Sequence, residues 1–164
     1  MKIESQVSGD FMNALELKIP PMVLAAMLSA IMWFLARVAP VLAFSFPGQG
    51  LLIVVLATAG GLIGVAGVVA FHRSRTTVDP RNPLATSALV TTGAYRLTRN
   101  PMYVGAFLAL AAWATHIGNV LAFAGLPAFV AYLNRFQIAP EERALRARFG
   151  SSFCDYQRSV RRWL

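Results

Sequence analysis

Charge, cysteine and histidine are all scarce in this sequence of 164 residues. Charged side chains make up 13% of the chain and hydrophobic side chains 57%, whereas charged residues form about a quarter of a typical soluble protein. This balance argues for an integral membrane protein. The single cysteine, Cys154, excludes an internal disulfide and a multi-cysteine zinc site. His72 and His116 lie in different segments without carboxylates at ligand spacing, so we expect no metal site.

Acidic residues are fewer than basic ones: the chain has 7 aspartates and glutamates and 15 lysines and arginines, which gives a formal net charge of +8. Such an excess occurs in nucleic-acid-binding proteins, but here the basic residues do not form one soluble basic face. They cluster beside apolar segments, where anionic lipid headgroups are suitable partners. We therefore expect membrane lipids, and no nucleic acid, as partners. The oligomeric state stays open.

The first half of the chain predicts an N-terminal segment and two membrane spans. Residues 1–18 lack the features of a signal peptide, and we expect a short interfacial helix or a loose tail there. The first span begins near Pro20-Pro21 and ends at Arg37. The second covers 22 uncharged residues, Gly50 to Phe71, and about 20 apolar residues cross a bilayer. Its four glycines between Gly60 and Gly67 lie within the span, which favours close helix packing over a phosphate-binding loop.

The second half predicts a polar connection, a short hairpin and charged C-terminal helices. The connection, residues 72–98, is turn-rich. A single helix through the 35 uncharged residues between Arg99 and Arg135 would be about 52 Å long, too long for one crossing. We expect a break near residues 116–119 and two helices of about 16 residues each, with His116 as an interfacial polar residue. Pro140 and the acids after it are typical of a helix start, and Gly150 of a helix end.

These segments predict an all-α integral membrane helical bundle with about four transmembrane helices, a short re-entrant-like hairpin and cytoplasmic C-terminal helices. With four spans, only Arg37 of the 15 basic residues lies on the side opposite the termini. The positive-inside rule then makes the basic side cytoplasmic, with both termini there. We expect the bacterial inner membrane as the location.

The chemistry is expected at a polar stretch from Val90 to Gly105. Pro101 suits the first turn of a helix and disfavours helical geometry in the residue before it, which places Arg99 and Asn100 at the helix mouth and Tyr103 in its first turn. A short hairpin brings this mouth, which also carries Tyr95, to the same membrane face as two acids, Glu141 and Glu142. A zwitterionic, amino-acid-like ligand would suit such a set. The same residues are also compatible with arginines that reach to the headgroups and with a weak surface ion pair.

The ordered set of motifs in the second half resembles the isoprenylcysteine carboxyl methyltransferase family and the related phospholipid N-methyltransferases. The resemblance covers about residues 72–164. Its motifs are Leu89-Val90-Thr91-Thr92-Gly93-Ala94-Tyr95-Arg96, Arg99-Asn100-Pro101-Met102-Tyr103-Val104-Gly105, Glu141-Glu142, Phe149-Gly150, Tyr156 and Arg162-Trp163. Asn100 stands where the family motif has a histidine.

The resemblance implies a membrane enzyme that binds S-adenosylmethionine without a Rossmann domain and transfers a methyl group directly to a lipophilic or lipid acceptor, leaving S-adenosylhomocysteine. The length of the chain predicts one domain, residues 1–164. We expect residues 1–71 on the substrate side, and the resemblance implies that residues 72–164 bind the cofactor. Arg99 and Glu142 are the expected catalytic residues. The expected cofactor-binding residues are Val90, Gly93, Tyr95, Arg99, Asn100, Tyr103, Glu141 and Glu142.

Two alternatives remain open from the sequence. Sterol reductases are similar in this C-terminal region and bind NADPH, although they are much larger and a 2′-phosphate would favour an all-basic pocket over paired glutamates. A non-enzymatic membrane scaffold whose polar face docks a partner would also account for the composition. The sequence does not identify the methyl acceptor as oxygen, nitrogen or sulfur.

Overall fold

A computed structural model of the chain describes residues 16–73 and 88–164. Within these ranges the fold is all-α and contains no β-strand, only an isolated bridge between Ala43 and Asn119. The predicted N-terminal segment and polar connection lie largely outside the described residues. The α-helices are α1 (Pro21–Val38), α2 (Gln49–Arg73), α3 (Pro101–Ile117), α4 (Gly125–Tyr132), α5 (Ala139–Phe149) and α6 (Ser151–Ser159).

Helices α1 and α2 have the length and composition of membrane spans. They contain 18 and 25 residues, with mean hydropathies of 1.8 and 2.5. Large apolar side chains along them are exposed, among them Met22 at 72% and Leu51 at 70%. Exposed apolar area on this scale is suited to lipid rather than to water. The two predicted spans are confirmed, and the protein is an all-α membrane protein.

Glycines hold α2 and α3 at close range. A Cβ atom added at Gly60 would lie 2.8 Å from the carbonyl oxygen of Gly105, and one added at Gly105 would lie 2.7 Å from the carbonyl oxygen of Gly60. A Cβ at Gly67 would meet Met102 at 2.9 Å. Because backbone faces backbone here, only glycine permits the contact. The predicted packing role is confirmed for Gly60 and Gly67, whereas a Cβ atom added at Gly61 or Gly64 would meet nothing within 4 Å.

The hairpin turns where the sequence indicated. Helix α3 ends at Ile117, and Gly118 caps it in the left-handed conformation with φ 62°. Asn119 then holds the turn, because its side chain accepts a hydrogen bond from the Leu121 N–H and donates one to the Ala39 carbonyl. With 17 residues, α3 is about 25 Å long. Its length agrees with the predicted hairpin helix of about 16 residues, which is slightly short for a bilayer.

The second arm of the hairpin differs from the prediction of a new helix beginning at Pro140. It starts as a 3-10 helix (Val120–Ala124), becomes α4, passes through a π-helical turn (Leu133–Ile138) and continues directly into α5. Pro140 has no N–H and would clash with the carbonyl four residues earlier in a regular α-helix. The wider π turn accommodates it without ending the helix. The acids that follow therefore lie on a continuous helical arm.

The C-terminal segment folds back over the mouth of α3. Helix α5 ends at Phe149, and Gly150 caps it with φ 53°, as predicted. Helix α6 then buries Phe153 and Tyr156 against Val90 and Tyr95. The last five residues return toward residues 98–100, which brings the chain end to the functional region.

Candidate active site

The mouth of α3 and the first turn of α5 meet through two side-chain pairs. Arg99 Nη2 donates a hydrogen bond of 2.8 Å to Glu142 Oε1. One turn further along α3, the Tyr103 hydroxyl donates to Glu141 Oε1 at 2.6 Å. The structure therefore brings four of the predicted site residues together in matched pairs, with the two glutamates side by side on α5.

Arg99 is also the anchor of the C-terminal segment. Its Nη1 donates to the carbonyls of Gln157 (3.1 Å) and Val160 (2.6 Å), and its backbone N–H donates to the Arg161 carbonyl (2.9 Å). The side chain is only 13% exposed. Its Nε is buried and has no hydrogen-bond partner among the described residues. A buried donor without a protein partner is costly, and a bound ligand or water at this atom would offset that cost.

Glu142 is clamped by a second arginine, which the sequence analysis did not place at the site. Arg162 donates to Oε1 from Nε at 3.1 Å and to Oε2 from Nη2 at 2.5 Å. Burial favours the neutral acid, but the hydrogen bonds from Arg162 and Arg99 outweigh it and lower the pKa of Glu142 below its ordinary value. Glu142 is therefore ionised, and its bonds to Arg99 and Arg162 connect the mouth of α3 with the C-terminal segment.

Glu141 lies in a different environment although it is the adjacent residue. Burial raises its pKa to about 7, while hydrogen bonds from Tyr103 and Gln137 act in the opposite direction. Gln137 Nε2 donates to Oε1 at 2.6 Å, the same oxygen that Tyr103 uses. Among the described residues no donor bonds to Oε2. Glu141 therefore combines a near-neutral pKa with an available oxygen, which are the properties of a general base.

Asn100 points its side chain at the C-terminal segment rather than into the space beside Glu141. Its Nδ2 donates to the Arg162 carbonyl at 2.9 Å, and Thr98 Oγ1 donates to the same carbonyl at 3.0 Å. In this structure the residue at the motif's histidine position thus helps to fix Arg162, whose side chain clamps Glu142.

The remaining predicted residues form a wall beside the two pairs. Val90 and Tyr95 are buried in the cluster that includes Phe153 and Tyr156, and the Tyr156 hydroxyl donates to the Tyr95 carbonyl at 2.7 Å. Burial, then the nearby Tyr156 and Glu141, raise the pKa of Tyr95. Gly93 has φ 61° and begins a short 3-10 helix (Gly93–Arg96). These residues adjoin the site but make no direct bond to its charged pairs.

Sequence reasoning missed Gln137 and the role of Arg162. Gln137 stands one turn before Glu141, but the predicted helix start at Pro140 separated them. Arg162 belongs to a motif noted in the sequence, yet only the fold shows that its side chain reaches Glu142. Asn134, which accepts hydrogen bonds from Arg162 (3.5 Å) and from Trp163 Nε1 (3.0 Å), was also missed.

Comparison with known proteins places this arrangement in a family. Residues 49–152, more than half of the chain, match the phospholipid methyltransferase family. The chain belongs to this family. Membership implies a methyltransferase that acts on a lipid-type substrate at a membrane, as the sequence pattern predicted.

The matched region contains the mouth of α3 and the two glutamates of α5. An uncharacterized protein of Haemophilus influenzae is 44% identical over 63 residues, which are 38% of this chain and the whole of that protein. No solved structure matches the chain significantly.

Proposed function

We propose that the protein transfers a methyl group from S-adenosylmethionine to a lipid acceptor at the cytoplasmic face of the membrane. The observation that carries this proposal is the double pairing of Arg99 with Glu142 and Tyr103 with Glu141, in which two adjacent acids differ in protonation behaviour. Within the family, the motif set that resembles isoprenylcysteine carboxyl methyltransferases favours that type of chemistry.

The residues present suit the amino-acid part of the cofactor. The buried Arg99 Nε, without a partner among the described residues, is a donor for a carboxylate. The amino-terminal end of α3 adds a positive dipole beside it. Val90, Gly93 and Tyr95 then form the side wall, and Asn100 secures the segment that holds Arg99.

Bound S-adenosylmethionine would supply a methyl group on a sulfonium: the acceptor's lone pair would bond to the methyl carbon as the carbon–sulfur bond breaks, and S-adenosylhomocysteine would leave. The protein's contribution is to orient the reactants and to exclude water. Arg99 fixes the position of the ligand, and Glu142 holds Arg99 in place. Where the acceptor must lose a proton, Glu141 receives it at Oε2, since a carboxyl with a pKa of about 7 accepts protons near neutral pH.

The cytoplasmic placement is supported by the charge distribution. The mouth of α3 lies at the end of the bundle where all basic residues except Arg37 are expected, and the positive-inside rule assigns that end to the cytoplasm. We accordingly propose that both termini lie on the cytoplasmic side and that the membrane is the bacterial inner membrane.

The proposal is tested by incubating the purified protein with methyl-labelled S-adenosylmethionine and a bacterial lipid extract, and identifying the labelled product. We expect label in a lipid fraction, and loss of that label with Arg99→Ala. The exposed Arg161, whose side chain makes no bond to the site, provides the matched control Arg161→Ala. Labelled lipid formed equally by both variants would remove Arg99 from the site. Thermal stabilisation by NADPH and not by S-adenosylhomocysteine would favour the reductase alternative, and stabilisation by neither would favour the scaffold.

A further inference from the structure

A cavity with a mostly apolar lining, into which an arginine and a histidine are set, lies at the opposite end of the bundle from the paired glutamates. It has a volume of about 350 Å³ and is formed where α1 and α3 end, beside the hairpin turn. Helix α3 separates it from Tyr103 by most of its 17 residues, a distance of about 20 Å. It is therefore separate from the candidate active site.

The cavity has one positive charge, Arg37, that forms no ion pair with any of the described residues. Arg37 lines it, with its guanidinium 5.0 Å from the centre of the Trp33 ring. The sequence contains no acidic residue between Glu16 and Asp79, and no carboxylate of the described residues forms a salt bridge with Arg37. A cation held against an aromatic ring but left without an anion is available to an anionic ligand.

A second aromatic pair faces the same cavity. The rings of Trp113 and His116 stack with centroids 5.5 Å apart, and both residues line the cavity. Trp113 Nε1 already donates to the Ser29 carbonyl at 3.0 Å, so this ring is fixed in place. The imidazole of His116 adds a hydrogen-bonding group. The cavity thus presents an arginine and a histidine, each supported by a tryptophan.

The surroundings favour a lipid over a soluble anion. Val38 and Val41 next to the cavity are 65% and 88% exposed, and Leu42 and Phe46 are also exposed. Val38 is the last residue of α1 and the other three come after it, at the level where a membrane span ends and headgroups begin. Tryptophans and arginines at such a level commonly contact headgroups while apolar neighbours contact acyl chains.

We propose that this cavity binds the phosphate of an anionic phospholipid from the leaflet opposite the active site. Arg37 pairs with the phosphate oxygens, His116 adds a hydrogen bond, and exposed apolar side chains in the last turns of α1, such as Ile31 and Phe34, contact the start of the acyl chains. The bound lipid occupies the space between the ends of α1 and α3 and links them. This role requires neither S-adenosylmethionine nor the paired glutamates, so it is independent of the methyl-transfer proposal.

The test is lipid retention by the full chain in a neutral detergent, measured by native mass spectrometry during titration with phosphatidylglycerol. Arg37→Gln should weaken retention by about tenfold, as expected for the loss of one charge-assisted hydrogen bond. Arg73→Gln removes the same charge from an exposed position at the other end of the bundle and should leave retention unchanged. His116→Asn should give a smaller loss than Arg37→Gln.

Three outcomes would overturn the proposal. Arg37→Gln could retain phosphatidylglycerol as wild type does, or both arginine variants could lose it equally, which would indicate general charge attraction. Displacement of the lipid by inorganic phosphate would assign the cavity to a free anion instead. Circular dichroism and thermal unfolding of each variant in lipid-free detergent verify folding, which an exposed arginine is not expected to affect.

Discussion

Arg99 and Glu142 form a hydrogen-bonded ion pair of 2.8 Å although 43 residues separate them in the sequence. The hairpin closes that separation, because it returns the chain to the membrane face from which α3 started. Both side chains are largely buried, at 13% and 15% exposed. A pair in this environment is sensitive to the removal of either partner, since the remaining charge keeps its desolvation cost. The pair therefore links the fold of the hairpin to the chemistry of the site.

The first prediction concerns Arg162, which completes the clamp on Glu142. Arg162→Gln should lower the free energy of unfolding by about 1–2 kcal/mol, since it removes a two-point charged contact from a partly buried carboxylate. Arg161→Gln should change it by less than about 0.5 kcal/mol, because the Arg161 side chain is exposed and only its backbone carbonyl contacts Arg99. Unfolding in mixed detergent micelles measures both, and equal effects would disprove the clamp.

The second prediction concerns the pH dependence of stability. The pKa of Glu141 is raised from 4.5 to about 7 by burial in the folded protein. Between these values the folded state binds more protons than the unfolded state, so the free energy of unfolding should fall as the pH rises from about 4.5 to about 7. Glu141→Gln should flatten this slope, because a neutral amide does not titrate.

Thermal unfolding of wild type and Glu141→Gln between pH 4.5 and pH 8 tests this point. Both proteins contain the same histidines, so the contribution of the histidines cancels in the difference. A slope that is the same in the two proteins would show that Glu141 does not have the raised pKa. If Glu141 acts as the base, methyl transfer by the wild type should increase with pH over the range in which its stability falls.

The third prediction separates two neighbouring glycines of α2. Gly60→Ala should destabilise the protein by about 1–3 kcal/mol, since the added methyl group would lie 2.8 Å from a backbone oxygen of α3 that cannot move independently. Gly61→Ala should be neutral or stabilise by up to about 1 kcal/mol, because nothing lies within 4 Å of the added Cβ and alanine favours the helix. The same detergent unfolding assay compares them. Equal losses would indicate a general effect of glycine rather than close packing.

The fourth prediction uses the single cysteine to test the orientation in the membrane. Cys154 lies on α6, at the same end of the bundle as Arg99, and is partly exposed. A membrane-impermeant maleimide should label it in inverted vesicles but not in intact spheroplasts. In a Cys154→Ser background, Val41→Cys should show the opposite pattern, since Val41 lies at the other end and is 88% exposed. Labelling of both from the same side would contradict the topology.

The helices could be predicted from the sequence because strong signals mark their ends. Pro21 begins α1 and Pro101 begins α3, because the fixed φ of proline suits the first turn of a helix. Gly118 ends α3, because glycine readily adopts the left-handed conformation of a helix cap. The uncharged stretches between these points are long enough to cross a bilayer, where the backbone groups of a single segment are satisfied only in a helix. Close packing of α2 was predicted from its glycines, but only the structure identifies α3 as the helix that Gly60 packs against.

The side-chain partners could not be predicted to the same depth. The sequence placed both glutamates opposite the helix mouth, but their different roles depend on the rotation of α5. The π turn before Pro140 adds a residue to one turn of a continuous helix and so changes that rotation, which no sequence pattern indicated. Arg162 reaches Glu142 only because the chain end folds back, and no local pattern encodes that path.

The most direct test of the account is a calorimetric titration of the purified protein with S-adenosylhomocysteine. We predict saturable binding to wild type and to Arg161→Ala, and a loss of affinity of at least about tenfold in Arg99→Ala, where the ligand's carboxylate loses its charged donor. Circular dichroism verifies that the variant keeps its helices. Wild-type affinity in Arg99→Ala, or no binding to the wild-type protein, would contradict the claim that the paired residues at the mouth of α3 form the methyl-donor site.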